Sequence, residues 1–550
     1  MTGLPLMLVS DRRKKILRKQ LCGSAALAAM LLALPGAAQA QFSPGDLVTT
    51  PLPAIDATSG TRGRPLTANP PEFLYSIFGD LSERYTNNAT GAPAGDSDFE
   101  TRAQAGLQAS EMTNRINAVF NYTGELDYFT RHDSSTIFSN YLQSGALVEA
   151  VPDHLLLSAD AFAQPIYTSQ LGNIAPSGEV LPAGSNSDLR NTYGYSASPD
   201  LFFRLGDFLR SDSIPSYSSV FFDRPQGAGA TPLTGMVNTV NTKAFTQRLV
   251  SGEDFVRLQW SAVANYSQMN RASGGLTQRS ATGQLAYAIT RGINIVADGG
   301  YQTVRANVPL NKLLSGPIMM GGLQFETPDL TGEFRVGEQY RSMTATGHLS
   351  YKLTQLLTLN AAATDDVTTP GANILSPTQL LTGLIAGLQS GQIQIPTSGV
   401  LTLNPDTLGL SLQNTPARIK TQTVSLQYGV DRVTASVTGF AQEQSNLSGG
   451  IKGQNNNMRQ YAISPEVDYA FSEELTGSAR FTYSDQTLAF GHSSNGEFDL
   501  NTQCRLSDTT QLYGDFSYLR RFSDSALAAF SKNSGNVSIA SFRIGIHHQF

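Results

Sequence analysis

Asn533-Ser-Gly-Asn-Val-Ser-Ile-Ala-Ser-Phe-Arg-Ile-Gly-Ile-His-His-Gln-Phe550 closes the chain, and its reading decides the fold. Counting back in twos from Phe550 puts His548, Ile546, Ile544, Phe542 and Ala540 on one face and Gln549, His547, Gly545, Arg543 and Ser541 on the other. A period of two, apolar on one side and polar on the other, is what a strand between lipid and a wet lumen requires. The alternative at this point is an edge strand of a soluble β-protein that ends in Phe.

The same alternation recurs upstream in paired segments. In 283–304, Leu285, Tyr287 and Ile289 share a face, Thr290-Arg291-Gly292 turns the chain, and Ile293, Ile295, Ala297 and Tyr301 resume that face. Asp431-Arg432 turns a second such hairpin, Ser472-Glu473-Glu474 a third and Ser507-Asp508-Thr509 a fourth. Longer stretches of Gly, Ser, Asn and Asp separate the hairpins. Tight turns at one end and long loops at the other are the asymmetry of an outer-membrane barrel. The predicted fold class is therefore all-β: a transmembrane antiparallel up-and-down barrel of about 18–20 strands with long extracellular loops.

Composition agrees. Charged residues are 15% of a 550-residue chain, and no apolar run beyond residue 40 reaches the roughly 18–20 residues of a membrane helix. A net charge of −6 gives no basic footprint for nucleic acid. Residues 1–40 have the parts of a signal peptide: Arg12, Arg13, Lys14, Lys15, Arg18 and Lys19, an apolar Leu21–Leu34, and Ala38-Gln39-Ala40. Residues 41–73, rich in Pro, Gly and Thr, read as a flexible periplasmic leader, and 74–550 as the barrel. Cys504 is the one cysteine outside the signal segment and reads as an unbridged strand residue.

Alternation assigns Arg257, Asp298, Lys352, Glu466, Asp468, Arg480, Asp515 and Arg543 to the lumen wall. Mixed charge there suits either a solvated, non-selective wall or a track that guides a substrate. Phe542, Ile544, Ile546 and Phe550 form the expected assembly signal. Tyr287, Tyr351, Tyr428, Tyr469, Phe471, Tyr483 and Tyr518 lie near strand ends, as an aromatic girdle does, with carbohydrate stacking the alternative. Two stretches, 307–337 and 367–416, read as long loops, the second either constricting the barrel mouth or lying on the rim. No GxSxG, HExxH, CxxC or phosphate-binding glycine loop occurs, and the adjacent His547 and His548 alternate to opposite faces. No catalytic residue, metal site or cofactor is expected, and the chain is not read as an enzyme.

Four stretches carry a family likeness: 82–108 (SERYTNNATGAPAGDSDFETRAQAGLQ), 122–135 (YTGELDYFTRHDSS), 145–170 (GALVEAVPDHLLLSADAFAQPIYTSQ) and 193–207 (YGYSASPDLFFRLGD). In these the chain resembles the outer-membrane proteins associated with PEP-CTERM systems and, more loosely, the β-barrel porin 2 type. The resemblance implies a link to envelope polysaccharide and supplies no site residues. The expected function is a porin-like channel, or the outer-membrane component of an exopolysaccharide export system, passing hydrophilic solutes. The competing expectation is an attachment barrel with an occluded lumen whose loops bind a partner. Expected partners are outer-membrane lipid, the barrel assembly machinery, and polysaccharide or small hydrophilic solutes. A plugged TonB-dependent receptor is disfavoured, since it needs a folded plug and about 22 strands.

Overall fold

The computed structural model describes residues 72–113, 115–131, 136–167, 189–222, 239–271, 274–306, 314–368, 417–446, 457–488, 491–524 and 535–550. Its elements are all strands. The first eleven are β1 Glu72–Thr86, β2 Asp98–Met112, β3 Ile116–Phe129, β4 Ile137–Val151, β5 Leu155–Tyr167, β6 Leu189–Leu205, β7 Leu209–Phe222, β8 Thr239–Ser251, β9 Leu258–Arg271, β10 Gly274–Thr290 and β11 Ile293–Ala306. The rest are β12 Gly316–Glu326, β13 Leu330–Gln339, β14 Ser342–Lys352, β15 Leu357–Thr368, β16 Ala417–Val430, β17 Val433–Asn446, β18 Met458–Ala470, β19 Leu475–Leu488, β20 Gly491–Arg505, β21 Thr510–Ser523 and β22 Val537–Gln549.

Each strand pairs antiparallel with its sequence neighbours, and β1 pairs with β22 from Phe78↔Gln549 to Thr86↔Ser541. The 22-stranded sheet thus closes on itself, with no edge left for lipid to solvate. Connections from even to odd strands are short, as in Arg291–Gly292, 327–329 and Asp431–Arg432. Those from odd to even strands include 168–188, 223–238 and 369–416. The start of β1 and the end of β22 lie at the short-turn end. This is the architecture of an up-and-down transmembrane barrel.

The exterior is apolar and exposed, as along β10 and β11 with Leu285, Tyr287, Ile289, Ile295 and Tyr301. Exposed aromatics gather in two belts. Tyr287, Tyr351, Tyr428, Tyr469 and Phe471 lie toward the short turns, and Tyr85, Phe99, Tyr128, Phe138, Tyr301 and Tyr461 toward the loops. Tyr461 and Tyr469 bracket the band on β18, their separation being about 27 Å along the strand and about 20 Å along the normal of a barrel tilted 40–45°. That is close to the apolar band of outer-membrane barrels, about 25 Å tall. The predicted girdle residues Tyr483 and Tyr518 share this outer face through their partners Ile463 and Phe498.

The strand count exceeds the expected eighteen to twenty. β12 and β13, from Gly316 to Gln339, occupy much of 307–337, a stretch whose sequence reads as a loop because Gly321, Gly322, Gly332 and Gly337 interrupt the alternation. At Gly332 the backbone is left-handed, φ +146°, and a Cβ would lie 2.3 Å from the His348 carbonyl oxygen. Only glycine fits that approach of β13 to β14. With 22 strands, strand number no longer separates this barrel from plugged receptors. The signal-peptide and leader assignments concern residues outside those described, apart from Glu72 and Phe73, which open β1. Cys504 sits on β20 and is 4% exposed.

Two ladders are incomplete toward the loops: β4 and β5 pair only from Leu142↔Ala163 to Val151↔Leu155, leaving 137–141 paired only with β3 and 164–167 only with β6. β14 and β15 pair only from Gly347↔Ala363 to Lys352↔Thr358, the half nearer the short turns. Above it, 342–346 pair only with β13 and 364–368 only with β16.

Candidate functional site

The lumen face is fixed by a bond that can only cross the interior: Gln278 Nε2 on β10 donates to the Val367 carbonyl on β15, with four strands between them in the sheet. Parity carried around the ladder then assigns every inward side chain.

Two rows of that wall are charged. In the first, register partners run Asp468, Ser478, Asn501, Asp515, Arg543, Arg84 and Glu100 from β18 across the closure to β2. In the second they run Glu466, Arg480, Asp499, Ser517, Ser541, Thr86 and Asp98. Arg480 Nη2 lies 3.1 Å from Asp499 Oδ2, and Arg543 Nη1 lies 3.9 Å from Asp515 Oδ2. The structure therefore brings five sequence-predicted wall residues, Glu466, Asp468, Arg480, Asp515 and Arg543, into two adjacent rows.

The other three lie elsewhere. Asp298 on β11 meets Arg335 Nη1 on β13 at 3.0 Å. Lys352 is exposed at the short-turn end of β14. Arg257 is exposed in the turn before β9, one residue below the wall, because Val256 and Arg257 belong to the β8–β9 connection.

Sequence reading missed the densest cluster, on β1–β4. Arg84 bonds Glu100; Arg102 Nη2 lies 3.1 Å from Glu100 Oε1, and Arg102 Nε donates to Asp127 Oδ1 at 2.7 Å. Gln104 donates to Glu125, which also accepts from the Tyr141 hydroxyl at 3.2 Å. The signal was present as Asp98, Glu100, Arg102 and Gln104 at period two, matched by Glu125 and Asp127 on the next strand. These side chains are not wet as a lumen wall was expected to be: Arg84, Glu100, Glu125 and Asp127 are at most 2% exposed. Buried charge of this density is tolerable only because each group meets opposite charge or a donor.

Phe542, Ile544 and Ile546 face outward beside Tyr85, Glu83 and Leu81 of β1. Phe550 follows β22; its N–H donates to the Ile77 carbonyl at 2.8 Å and its ring meets His548 edge-on at 4.6 Å. Among the described residues no group of His, Cys, Asp and Glu is arranged to hold a metal ion.

At the incomplete β14–β15 ladder a cavity of about 370 Å³ opens on the inner wall, lined by Gln284, Asp298, Ile318, Met320, Asp365 and Asp366 among others. Beside it Asp365 Oδ1 accepts from Arg418 Nε at 2.7 Å and Asp365 Oδ2 from the Thr344 hydroxyl at 2.6 Å. The Arg418 guanidinium sits 5.2 Å over the Tyr340 ring. Tyr340 occupies the β13–β14 turn, where burial and then the nearby Asp366 push its hydroxyl above the usual phenol range.

No family profile matches the chain, and no curated protein matches it. Solved structures do. The siderophore receptor PirA from Pseudomonas aeruginosa aligns at 11% identity over 88% of this chain and 82% of its own, with TM-score 0.40. The FrpB iron transporter from Neisseria meningitidis aligns at 9% identity over 86% and 82%, TM-score 0.42. A loop-deletion form of OmpT, an outer membrane protein of Vibrio cholerae, aligns at 9% over 87% and 99%, TM-score 0.29. Likeness at these scores adds nothing to what the closed ladder itself establishes.

Proposed function

We propose that the chain is a bacterial outer-membrane barrel that passes hydrophilic solutes through its lumen, as a porin-like channel or as the outer-membrane part of an envelope polysaccharide export system. The observation that carries this reading is the division of the wall: an apolar exterior between two aromatic belts, and an interior of charge and amide. A barrel of this strand number encloses an aqueous passage unless something fills it. The solute class follows from the wall, since mixed charge without a dominant sign admits polar solutes of either sign.

A second reading, an occluded barrel whose loops bind a partner, is favoured by one observation. The paired cluster on β1–β3 faces inward yet is scarcely accessible. Conductance of purified protein in planar bilayers separates the two. Conductance from the intact chain supports the channel. Conductance only from a variant lacking residues 370–415 supports occlusion, and none from either overturns the channel.

A further inference from the structure

Two boundaries lack a ladder in their loop-side half, β4–β5 and β14–β15, and the second has the cavity described above behind it. Here 342–346 and 364–368 lack ladder partners across the boundary. The tip of β15 has also left the cylinder. Asp365 and Val367 lie by parity on its outer face, with Leu359 and Ala361, yet they are 3% and 5% exposed. The Val367 carbonyl accepts from Gln278 on β10, so the tip reaches the inner wall five strands away.

Among the described residues, the two sides of the gap are joined through side chains. Thr344 and Tyr340 come from the β13–β14 side and Asp365 and Arg418 from the β15–β16 side, joined by the hydrogen bonds and the cation–π contact given above. Such a closure depends on a few contacts, where a ladder adds bonds at every residue pair. Tyr340 and Arg341 both have positive φ, 53° and 58°, so the turn on the same side of the gap is itself strained.

The cavity lies directly behind the gap, with Thr346 from β14 and Ala363 to Asp366 from β15 both in its lining. Ile318 and Met320 give it an apolar side; of its acids, Asp298 is paired with Arg335 and Asp365 with Arg418, which leaves Asp366 as the acid in excess. We propose that this gap is a lateral portal, latched by Tyr340, Thr344, Asp365 and Arg418, through which an amphiphile with an amine head group moves between the bilayer and the lumen. The acidic side of the cavity receives the head, and the unsealed boundary leaves the tail in lipid. A water-soluble solute has no need of such an opening, since the lumen serves it directly.

The proposal rests on membrane embedding of the barrel and not on conduction. p-Benzoylphenylalanine is placed at Thr346, at the lipid-facing Leu285 and at the inner-wall Asn501, each in protein reconstituted into phosphatidylethanolamine vesicles and irradiated. Adducts are read by mass, and folding by heat-modifiable gel mobility. Phospholipid adducts are expected at Leu285 and Thr346 and not at Asn501. Adduct at Thr346 should rise several-fold with Arg418→Ala, or with Thr344→Val where Arg418→Ala fails to assemble. Adduct at Leu285 with none at Thr346 in parent and variant overturns the portal. Absence at Leu285 as well overturns the embedding on which it rests.

Discussion

Arg84 and Arg543 stand directly opposite one another across the β1–β22 closure, two like charges on the pairing that completes the barrel. Like charges in register disfavour pairing. The conflict is offset from both sides, because Glu100 bonds Arg84 and Asp515 lies 3.9 Å from Arg543. The closure is thus held electrostatically by its second neighbours.

Glu100→Gln should therefore weaken the barrel more than Arg543→Gln. Glu100 serves both Arg84 and Arg102, and its loss takes one anion from each of two buried guanidiniums, at a cost of about 3–5 kcal/mol. Arg543→Gln removes one of the facing charges and should cost about 1 kcal/mol or less. Urea unfolding followed by gel mobility ranks the two, and the reverse order would show that Glu100 does not hold the closure.

Leu285 is half exposed on the outer face of β10. In a bilayer Leu285→Arg should destabilise by about 2–4 kcal/mol, the cost of a cation at the lipid face of such a barrel. In detergent-free aqueous refolding the same change should be neutral or favourable. Equal stability of parent and variant in vesicles would mean that this face does not meet lipid.

Much of this was legible because alternation survives local irregularity. The hairpins turning at Arg291–Gly292 and Asp431–Arg432 have their predicted turns and faces, and Asp515 and Arg543, placed inward by counting alone, prove to be partners. Two kinds of residue defeated the count. Glycines have no side chain to declare a face, so β12 and β13 were invisible. Short connections conceal where a strand begins, so Arg257 was put on the wall although it lies in a turn. The Arg84, Glu100 and Arg102 cluster was written at period two, but which strands meet at a closure is a property of the whole ladder. The β14–β15 gap could not be read at all, since sequence does not reveal a bond that is missing between two well-formed strands.

Gly332→Ala tests the glycine argument. Its Cβ would meet the His348 carbonyl oxygen at 2.3 Å and its φ of +146° suits no other residue, so a loss of about 1–3 kcal/mol is expected. Gly299, which has open space around its missing Cβ, is the matched control, and Gly299→Ala should change stability by less than about 1 kcal/mol. Thermal midpoints from circular dichroism in detergent compare them, and indistinguishable midpoints would remove the steric reading of Gly332.

Deleting Phe550 should reduce the amount of barrel assembled in cells far more than it alters whatever barrel does insert. The residue adds one backbone bond to Ile77 and is 79% exposed, so it contributes little to the finished wall and remains readable from outside. Immunoblots of heat-modifiable protein in outer-membrane fractions give the yield. Normal yield without Phe550 would take away its role as an assembly signal.

The strands are of unequal length, and that has a mechanical consequence. β13, from Leu330 to Gln339, spans about 25 Å of membrane normal at a tilt near 40°, while β10, from Gly274 to Thr290, spans about 44 Å. A bilayer's hydrocarbon core is about 30 Å thick. The rim is therefore a sleeve with a notch: over β12–β14 the lipid must thin to meet a wall that elsewhere stands clear above it. Loops of neighbouring molecules, antibodies and phage would find high ground around most of the circumference. Along this one short arc the bilayer itself reaches the top of the wall.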